Sequence, residues 1–227
     1  PAGEPTFAHQ FRQSGYATAV AGKWQLLTEE GGTHPNEAGF DTYCLWNTPS
    51  TTRERYWNPS LEKDGALMDL PDNSYGPDVC TDFLAEFITS CAETDTPFLA
   101  YYPMILVHDP FLPTPNSKDR GETSDKKNFI DMVNTMDALV GRLVDTLEAN
   151  GVRDNTLIIF TADNGTNKKL VSEFNGQRIS GGKGYTRDHG THVPLIANWS
   201  GRIPAKQVNR DLIAFSDFLP TMVEAAG

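Results

Sequence analysis

Short apolar segments alternate along this chain with segments in which apolar residues recur every three or four positions. The longest periodic segment, residues 126–150, carries a continuous apolar stripe that predicts an amphipathic α-helix. The segments TLIIFTA at 156–162 and VPLIANW at 193–199 are each typical of a short, buried β-strand. Strands that alternate with helices predict an α/β domain whose mostly parallel sheet is flanked by helices on both faces.

Other segments extend the same alternation. Pro5 suits the first turn of a short helix, and Gly15 ends it. Pro77 opens a longer helix with an apolar face. We predict helices at 5–15, from 77 onward and at 217–226, strands at 16–22, 41–46 and 97–108, and long connections at 47–73 and 110–127.

The composition excludes some classes of partner. The chain has 227 residues, 38% of them hydrophobic and 22% charged, which is ordinary for a globular α/β domain of this size. No apolar run approaches the roughly 20 residues that a membrane-spanning helix needs. The net charge of −11 repels nucleic acid and anionic membranes, so an anionic ligand requires a local cluster of cations.

Polar side chains follow three of the predicted strands. Lys23 ends the first, His108 ends the third, and Asp163 and Asn164 follow the segment at 156–162. Ligands of open parallel sheets bind outside the carboxyl ends of the strands. If these strands are parallel, the four side chains converge on one rim of the sheet.

The residue types at these strand ends fit anion and metal chemistry. The Asp163 carboxylate and Asn164 amide oxygens suit a hard cation such as Ca²⁺ or Mg²⁺, although a simple Asx turn is the alternative. Lys23 could neutralise a tetrahedral anion, or be an ordinary solvated lysine. His108 could donate a proton to a leaving group, or be a histidine satisfied at the edge of the core.

The segment GGKGYTRDHGTHVPLIANW at 181–199 is rich in glycine around Lys183. Glycines allow the backbone to approach a ligand closely, and Lys183 adds positive charge. The alternative is a flexible, solvated hairpin. The segment is not a Walker loop, because neither serine nor threonine follows the lysine.

The motifs at these places resemble those of the sulfatase family and occur in the family's order. GYATAVAGKWQL resembles the signature G-Y-x-T-x-x-x-G-K-W-H-L, and YYPMILVHDP resembles the strand that delivers an active-site histidine. TLIIFTADNG resembles the strand that ends in Asp-Asn metal ligands. GGKGYTRDHGTHVPLIANWSG and SDFLPTMVEAAG resemble the Gly-Lys segment and the helix after the last core strand.

The resemblance implies an alkaline-phosphatase-like fold and the hydrolysis of sulfate monoesters. By motif position it makes Asp163 and Asn164 ligands of Ca²⁺, with Mg²⁺ as the alternative. It makes Lys23 and Lys183 catalytic and substrate-binding residues that hold the sulfate oxygens. It gives His108 contact with the sulfate and assistance to the leaving oxygen. The substrate is then a small-molecule or glycan sulfate ester, and the family suggests a periplasmic or secreted protein.

Two residues depart from the family pattern. Gln25 stands where the signature has histidine; we assign it to substrate binding, because glutamine forms hydrogen bonds but takes up no proton at neutral pH. His192 stands where the family has arginine before Val-Pro.

The family nucleophile is a formylglycine made from cysteine in a C-x-P/A-x-R motif, and Cys44, Cys80 and Cys91 do not fit that motif. We read these three as buried, inert thiols. We therefore expect residues 1–227 to be the central part of a sulfatase catalytic domain, without the nucleophile segment, the N-terminal aspartate pair and the C-terminal subdomain. By itself this chain should be nearly inactive and bind Ca²⁺ weakly.

Two other functions stay open on the sequence. A phosphate or phosphonate monoester hydrolase of the same superfamily would also bind a tetrahedral anion with these residues. A non-catalytic module that binds anions or glycans would keep the lysines without a nucleophile. The alcohol part of the substrate and the oligomeric state have no signature in the sequence.

Overall fold

A computed structural model describes residues 4–27 and 32–227, and these divide into two compact units. The first unit contains Pro1–Ile105, Leu139–Arg153 and Lys206–Gly227. The second contains Leu106–Ala138 and Asp154–Ala205. None of the helices in the described part of the chain is both long enough and apolar enough to span a bilayer.

The first unit is built on a five-stranded sheet with a parallel core. Strand β1 (Ala17–Lys23) pairs in parallel with β2 (Thr42–Trp46) on one side and β5 (Phe98–Tyr101) on the other. Strands β3 (Glu62–Lys63) and β4 (Ala66–Leu67) add an antiparallel hairpin beyond β2. The predicted α/β fold is confirmed, but the sheet is mixed where the sequence predicted a mostly parallel one.

The hairpin lies in a segment for which the sequence predicted only a long connection. Asp64 and Gly65 form its two-residue turn, and both have positive φ angles, 48° and 87°. An Asp-Gly pair is a common sequence for such a turn, because both central residues must adopt the left-handed conformation. The local signal was therefore present, although each strand has two residues and shows no periodicity.

The helices of the first unit follow the predicted pattern. Helix α1 (Phe7–Gln13) begins at Thr6, whose side chain accepts a hydrogen bond from the backbone N–H of His9. Helix α2 (Gly76–Glu93) has Pro77 in its first turn and contacts β1, β2 and β5. Helix α5 (Phe218–Ala226) closes the chain. Strand β1 is buried from Thr18 to Gly22, as expected for a central strand that is covered on both faces.

The third predicted strand is shorter than expected. Strand β5 ends at Tyr101, so the prediction that a strand leads into His108 is wrong. Pro103 has no backbone N–H and cannot continue the ladder as a donor. Its carbonyl oxygen still accepts a hydrogen bond of 2.8 Å from the backbone N–H of Lys23.

The second unit contains two separate strand pairs. Strand β6 (Ile158–Thr161) pairs antiparallel with β9 (Leu195–Asn198), and β7 (Val171–Phe174) pairs antiparallel with β8 (Gln177–Ser180). The strands predicted at 156–162 and 193–199 exist, but the prediction that they are buried is wrong. Strand β6 is half-buried and β9 is exposed along its length. The short helix α4 (Asp188–Thr191) lies between β8 and β9.

Helix α3 (Asp125–Ala149) matches the segment predicted at 126–150 and offers a site for stabilisation. Gly141 lies in its interior, and a Cβ placed there would meet no atom within 4 Å. We expect Gly141→Ala to raise the free energy of unfolding by about 0.5–1 kcal/mol, because alanine loses less backbone entropy in a helix than glycine. Urea unfolding followed by circular dichroism measures this change, and a destabilised variant would contradict the open space found next to Gly141.

Candidate active site

The turn after β6 is held by backbone contacts to the segment around α4. The backbone N–H of Gly165 donates a hydrogen bond of 2.9 Å to the carbonyl oxygen of Gly190. A Cβ on Gly165 would overlap the carbonyl oxygen of His189, far inside van der Waals contact. Asp163 and Asn164 therefore precede a turn that only glycine can complete at this separation.

The glycine-rich segment packs against the same turn. The backbone N–H of Lys183 donates to the carbonyl oxygen of Thr166 at 3.0 Å, and that of Gly181 donates to Leu170 at 2.9 Å. A Cβ on Gly181 would overlap the carbonyl oxygen of Asn167. We call residues 163–170 and 181–190, which these bonds join, the paired loops. They bring the segment that carries Asp163 and Asn164 against the segment that carries Lys183.

The structure changes the interpretation of the glycines. The sequence suggested that they allow the backbone to approach a ligand, or that the segment is a flexible hairpin. A Cβ on Gly182 would lie 2.6 Å from the Cβ atom of His189, and one on Gly190 would overlap the carbonyl oxygen of Tyr185. These two glycines therefore allow the loop 181–190 to fold closely on itself, whereas Gly165 and Gly181 allow the two loops to approach each other.

His108 lies in the second unit and contacts the residue that follows it. Its Nδ1 atom is 2.8 Å from the backbone carbonyl oxygen and 3.0 Å from the Oδ1 atom of Asp109. The next part of this segment is fixed to helix α3, because the Phe111 carbonyl accepts a hydrogen bond of 3.1 Å from the buried amide of Asn128. An acceptor at Nδ1 directs the Nε2 atom of His108 to other partners and favours one ring orientation.

Lys23 and Gln25 belong to the first unit. Lys23 is the last residue of β1, is half-buried, and lies in register with Trp46 of β2. Trp46 is 3% exposed, and its Nε1 atom has no hydrogen-bond partner within the described residues. The guanidinium carbon of Arg55 lies 4.1 Å from the centre of the Trp46 ring. Gln25 is exposed. Strand β5 stops before His108, and β6 pairs only with β9 in the second unit, so the convergence of strand ends stays a prediction.

The cysteines have no features of a nucleophile. Cys44, Cys80 and Cys91 are all buried and free of disulfides, as predicted. A hydrogen bond with Cys44 and burial raise the pKa of Cys80, and burial raises the pKa of Cys91. A raised pKa keeps these two thiols protonated, and the thiolate is the reactive form.

The described residues offer a hard cation suitable oxygen donors, but few of them. Asp163 supplies a carboxylate and Asn164 an amide oxygen at one turn, which is the donor chemistry that Ca²⁺ and Mg²⁺ prefer. Within residues 4–27 and 32–227, no group of three or more histidine, cysteine, aspartate or glutamate side chains could hold a metal ion. The donors thus fit a hard cation in kind, and they make up only part of its shell of about six to eight oxygens.

A family model described as Sulfatase matches residues 1–227, the whole of this chain. The chain belongs to the sulfatase family. Arylsulfatase G of Mus musculus is 30% identical over 270 residues, with 100% of this chain and 50% of the relative covered. The uncharacterized sulfatase YdeN of Escherichia coli (strain K12) is also 30% identical, with 100% and 44% covered. This sulfatase chain thus spans about half the length of the curated relatives it matches.

Solved structures agree with the assignment of the fold. The crystal structure of Ps i-CgsB has a TM-score of 0.81 and 24% identity, covering 100% of this sulfatase chain and 54% of that chain. The PsFucS1 sulfatase from Pseudoalteromonas sp. has a TM-score of 0.77 and 25% identity, with 99% and 50% covered. The alkaline-phosphatase-like α/β fold expected from the sequence is therefore confirmed.

Proposed function

We propose that the protein to which this chain belongs hydrolyses sulfate monoesters. The observation that carries the proposal is the backbone packing of the paired loops. It keeps a carboxylate and an amide, Asp163 and Asn164, on a segment bonded directly to the one that bears the Lys183 ammonium. Membership of the sulfatase family and the similarity to arylsulfatases support the same reaction class.

The proposed roles follow from what each side chain can do. Lys183 and Lys23 bind the oxygens of the sulfate group and stabilise the negative charge that develops on them in the transition state. His108 assists the leaving oxygen by supplying a proton, and its contact with Asp109 orients the ring. Gln25 contributes hydrogen bonds to the substrate. The formylglycine nucleophile is proposed to lie outside these 227 residues, because no cysteine here fits its motif.

Asp163 and Asn164 are proposed as ligands of Ca²⁺, with Mg²⁺ as the alternative. A bound cation of this kind polarises a sulfate oxygen and neutralises charge. The exposed Asp163 carboxylate and the neighbouring amide are hard oxygen donors, which supports the proposal. Waters and further residues would complete the shell.

Removal of the Asp163 carboxylate should abolish most of the Ca²⁺-dependent stabilisation of the full-length protein. In the wild type, Ca²⁺ at about 100 times its Kd should stabilise the folded state by about 2.7 kcal/mol and raise Tm accordingly. Differential scanning calorimetry with Ca²⁺ and with a chelator measures the shift for wild type and Asp163→Ala. Glu173→Gln, an exposed change in β7, is the matched control and should respond to Ca²⁺ like the wild type. An undiminished shift in Asp163→Ala would remove this residue from the metal site.

Carbohydrate sulfates are the proposed substrate class. BT4656 was solved in complex with its substrate D-glucosamine-2-N,6-O-disulfate, and its chain resembles this one with a TM-score of 0.74 at 18% identity. Ps i-CgsB was solved in complex with k-i-k-neocarrahexaose, with a TM-score of 0.79. These likenesses support a glycan sulfate ester, whereas the arylsulfatase relatives support aryl sulfates as model substrates.

Turnover of matched aryl esters tests the proposed reaction. We expect the purified full-length protein to hydrolyse 4-nitrophenyl sulfate with a higher kcat/KM than 4-nitrophenyl phosphate. The two esters share a leaving group, so their ratio reports on the transferred group alone. A preference for the phosphate would assign the protein to phosphate monoester hydrolysis. Binding of inorganic sulfate without turnover of either ester would favour a non-catalytic anion-binding module.

A further inference from the structure

The paired loops and the hairpin between them form a basic region in an acidic chain. The whole chain has a net charge of −11, whereas residues 163–190 carry five lysines and arginines against three acidic residues, a net charge of +2. Such a local excess of positive charge attracts anions even though the protein as a whole repels them. The charged residues of this region are Lys168, Lys169, Arg178, Lys183 and Arg187, with Asp163, Glu173 and Asp188.

The Lys168 side chain contacts the loop that carries Lys183. Its Nζ atom lies 3.8 Å from the centre of the Tyr185 ring, a cation–π contact. The same atom would be 3.9 Å from a Cβ placed on Gly184, the residue after Lys183. The backbone of this segment is also tied down, since Leu170 donates to the Asn167 carbonyl at 3.0 Å. The Lys168 ammonium thus lies close to residue 184, which directly follows Lys183.

The two ammonium groups are not neutralised within the described residues. Over residues 4–27 and 32–227, no carboxylate lies within ion-pair distance of Lys168 or Lys183. Cations without a counter-charge on two segments that contact each other favour the arrival of an anion with more than one charged group. Tyr185 contacts the Lys168 ammonium through the face of its ring and supplies no carboxylate to neutralise it.

We propose that Lys168, braced by Tyr185, binds a second anionic group of the substrate, a sulfate or carboxylate other than the one hydrolysed. This inference rests on the proposed function, because it takes Lys183 as the residue that holds the hydrolysed sulfate. It narrows the substrate to sulfate esters that carry a further negative charge near the scissile bond. Lys168 is then a specificity-determining residue, and substrates with a single sulfate do not depend on it.

Calorimetric titration of the full-length protein with non-hydrolysable sulfonates tests this proposal. The ligands are α,ω-alkanedisulfonates of two to six carbons and the monosulfonate of each length. In the wild type, at least one disulfonate should bind about tenfold more tightly than its monosulfonate, the gain expected from one added charge-assisted contact. Lys168→Met should lose this gain and leave monosulfonate binding unchanged. Lys168→Arg should keep the gain, as should the matched control Lys169→Met.

Three results would overturn the proposal. The first is a wild-type protein that binds no disulfonate, at any chain length, more tightly than the matching monosulfonate. The second is a Lys168→Met variant that still binds the disulfonate more tightly than the monosulfonate. The third is a Lys168→Met variant that loses affinity for both ligands equally, which would mean that Lys168 only supports the loop. Turnover of 4-nitrophenyl sulfate, measured on the same proteins, reports on the proposed function separately. Failure of the proposed function is thereby distinguished from failure of the Lys168 contact.

Discussion

Replacing Lys183 by alanine in the full-length protein should lower kcat for 4-nitrophenyl sulfate by roughly 10²–10³-fold, the usual cost of losing one group that stabilises transition-state charge. The backbone of Lys183 is fixed by its hydrogen bond to Thr166, so the truncation should remove the ammonium group without freeing the loop. Steady-state kinetics on both proteins measures the effect.

Lys169→Ala is the matched control for this prediction. Lys169 is an exposed lysine of the same paired loops, and its backbone N–H donates to the side chain of Asn167. Its loss removes one positive charge from the same region and should leave kcat close to the wild-type value. If Lys183→Ala kept the wild-type kcat, or if both variants lost it equally, Lys183 would have no specific role in the reaction.

Gly165→Ala should damage both stability and activity although it adds one methyl group. The new Cβ would overlap the carbonyl oxygen of His189, and that atom belongs to the backbone and cannot swing aside. We expect the free energy of unfolding to fall by about 1–3 kcal/mol, as in other overpacked sites. The paired loops must also separate, and displacement of catalytic groups by about 1 Å can lower kcat by about 10²-fold.

Chemical unfolding and turnover of 4-nitrophenyl sulfate measure the two effects on one preparation. Gly141→Ala is the matched control, because it adds the same methyl group where the structure has room. The account predicts that this control keeps its activity. A Gly165→Ala protein with wild-type stability and kcat would contradict the close backbone packing between Gly165 and His189.

The elements that the sequence predicted best have strong local signals. Helix α3 carries a long apolar stripe, and β1 is a continuous apolar run between a helix-ending glycine and Lys23. Both hairpins were missed because their strands contain no apolar run: β3 and β4 have two residues each, and β7 and β8 are mostly exposed and mix polar with apolar residues. Their turns could nevertheless have been predicted, because Asp-Gly and Asn-Gly pairs are typical of two-residue hairpin turns. Asp64-Gly65 and Asn175-Gly176 each place two residues at positive φ.

The pairing and burial of strands could not be read from local patterns. The apolar segments that became β6 and β9 look alike in composition, and their antiparallel pairing follows from which partner each strand meets in space. Periodicity also cannot separate a buried strand from an exposed apolar one. Ile196 of β9, for example, is 58% exposed in spite of its apolar neighbours.

The residues of the candidate site stay a prediction, and the packing of the segments that carry them was not predicted. Asp163, Asn164 and Lys183 were identified from residue type and motif. The reason that their segments lie together, the packing of backbone on backbone at Gly165 and Gly181, has no sequence signal beyond the glycines themselves. Glycine permits two backbone segments to approach each other closely, but the sequence does not say which segments do so.

A crystal structure of the full-length protein, grown with Ca²⁺ and soaked in sulfate, tests the central claim most directly. The account predicts one Ca²⁺ within about 2.3–2.6 Å of oxygen atoms of both Asp163 and Asn164. It also predicts a sulfate oxygen within about 2.7–2.9 Å of the Nζ atom of Lys183. A Ca²⁺ ion and a sulfate bound elsewhere, with Asp163 and Lys183 both directed into solvent, would contradict the claim that the paired loops form the active site.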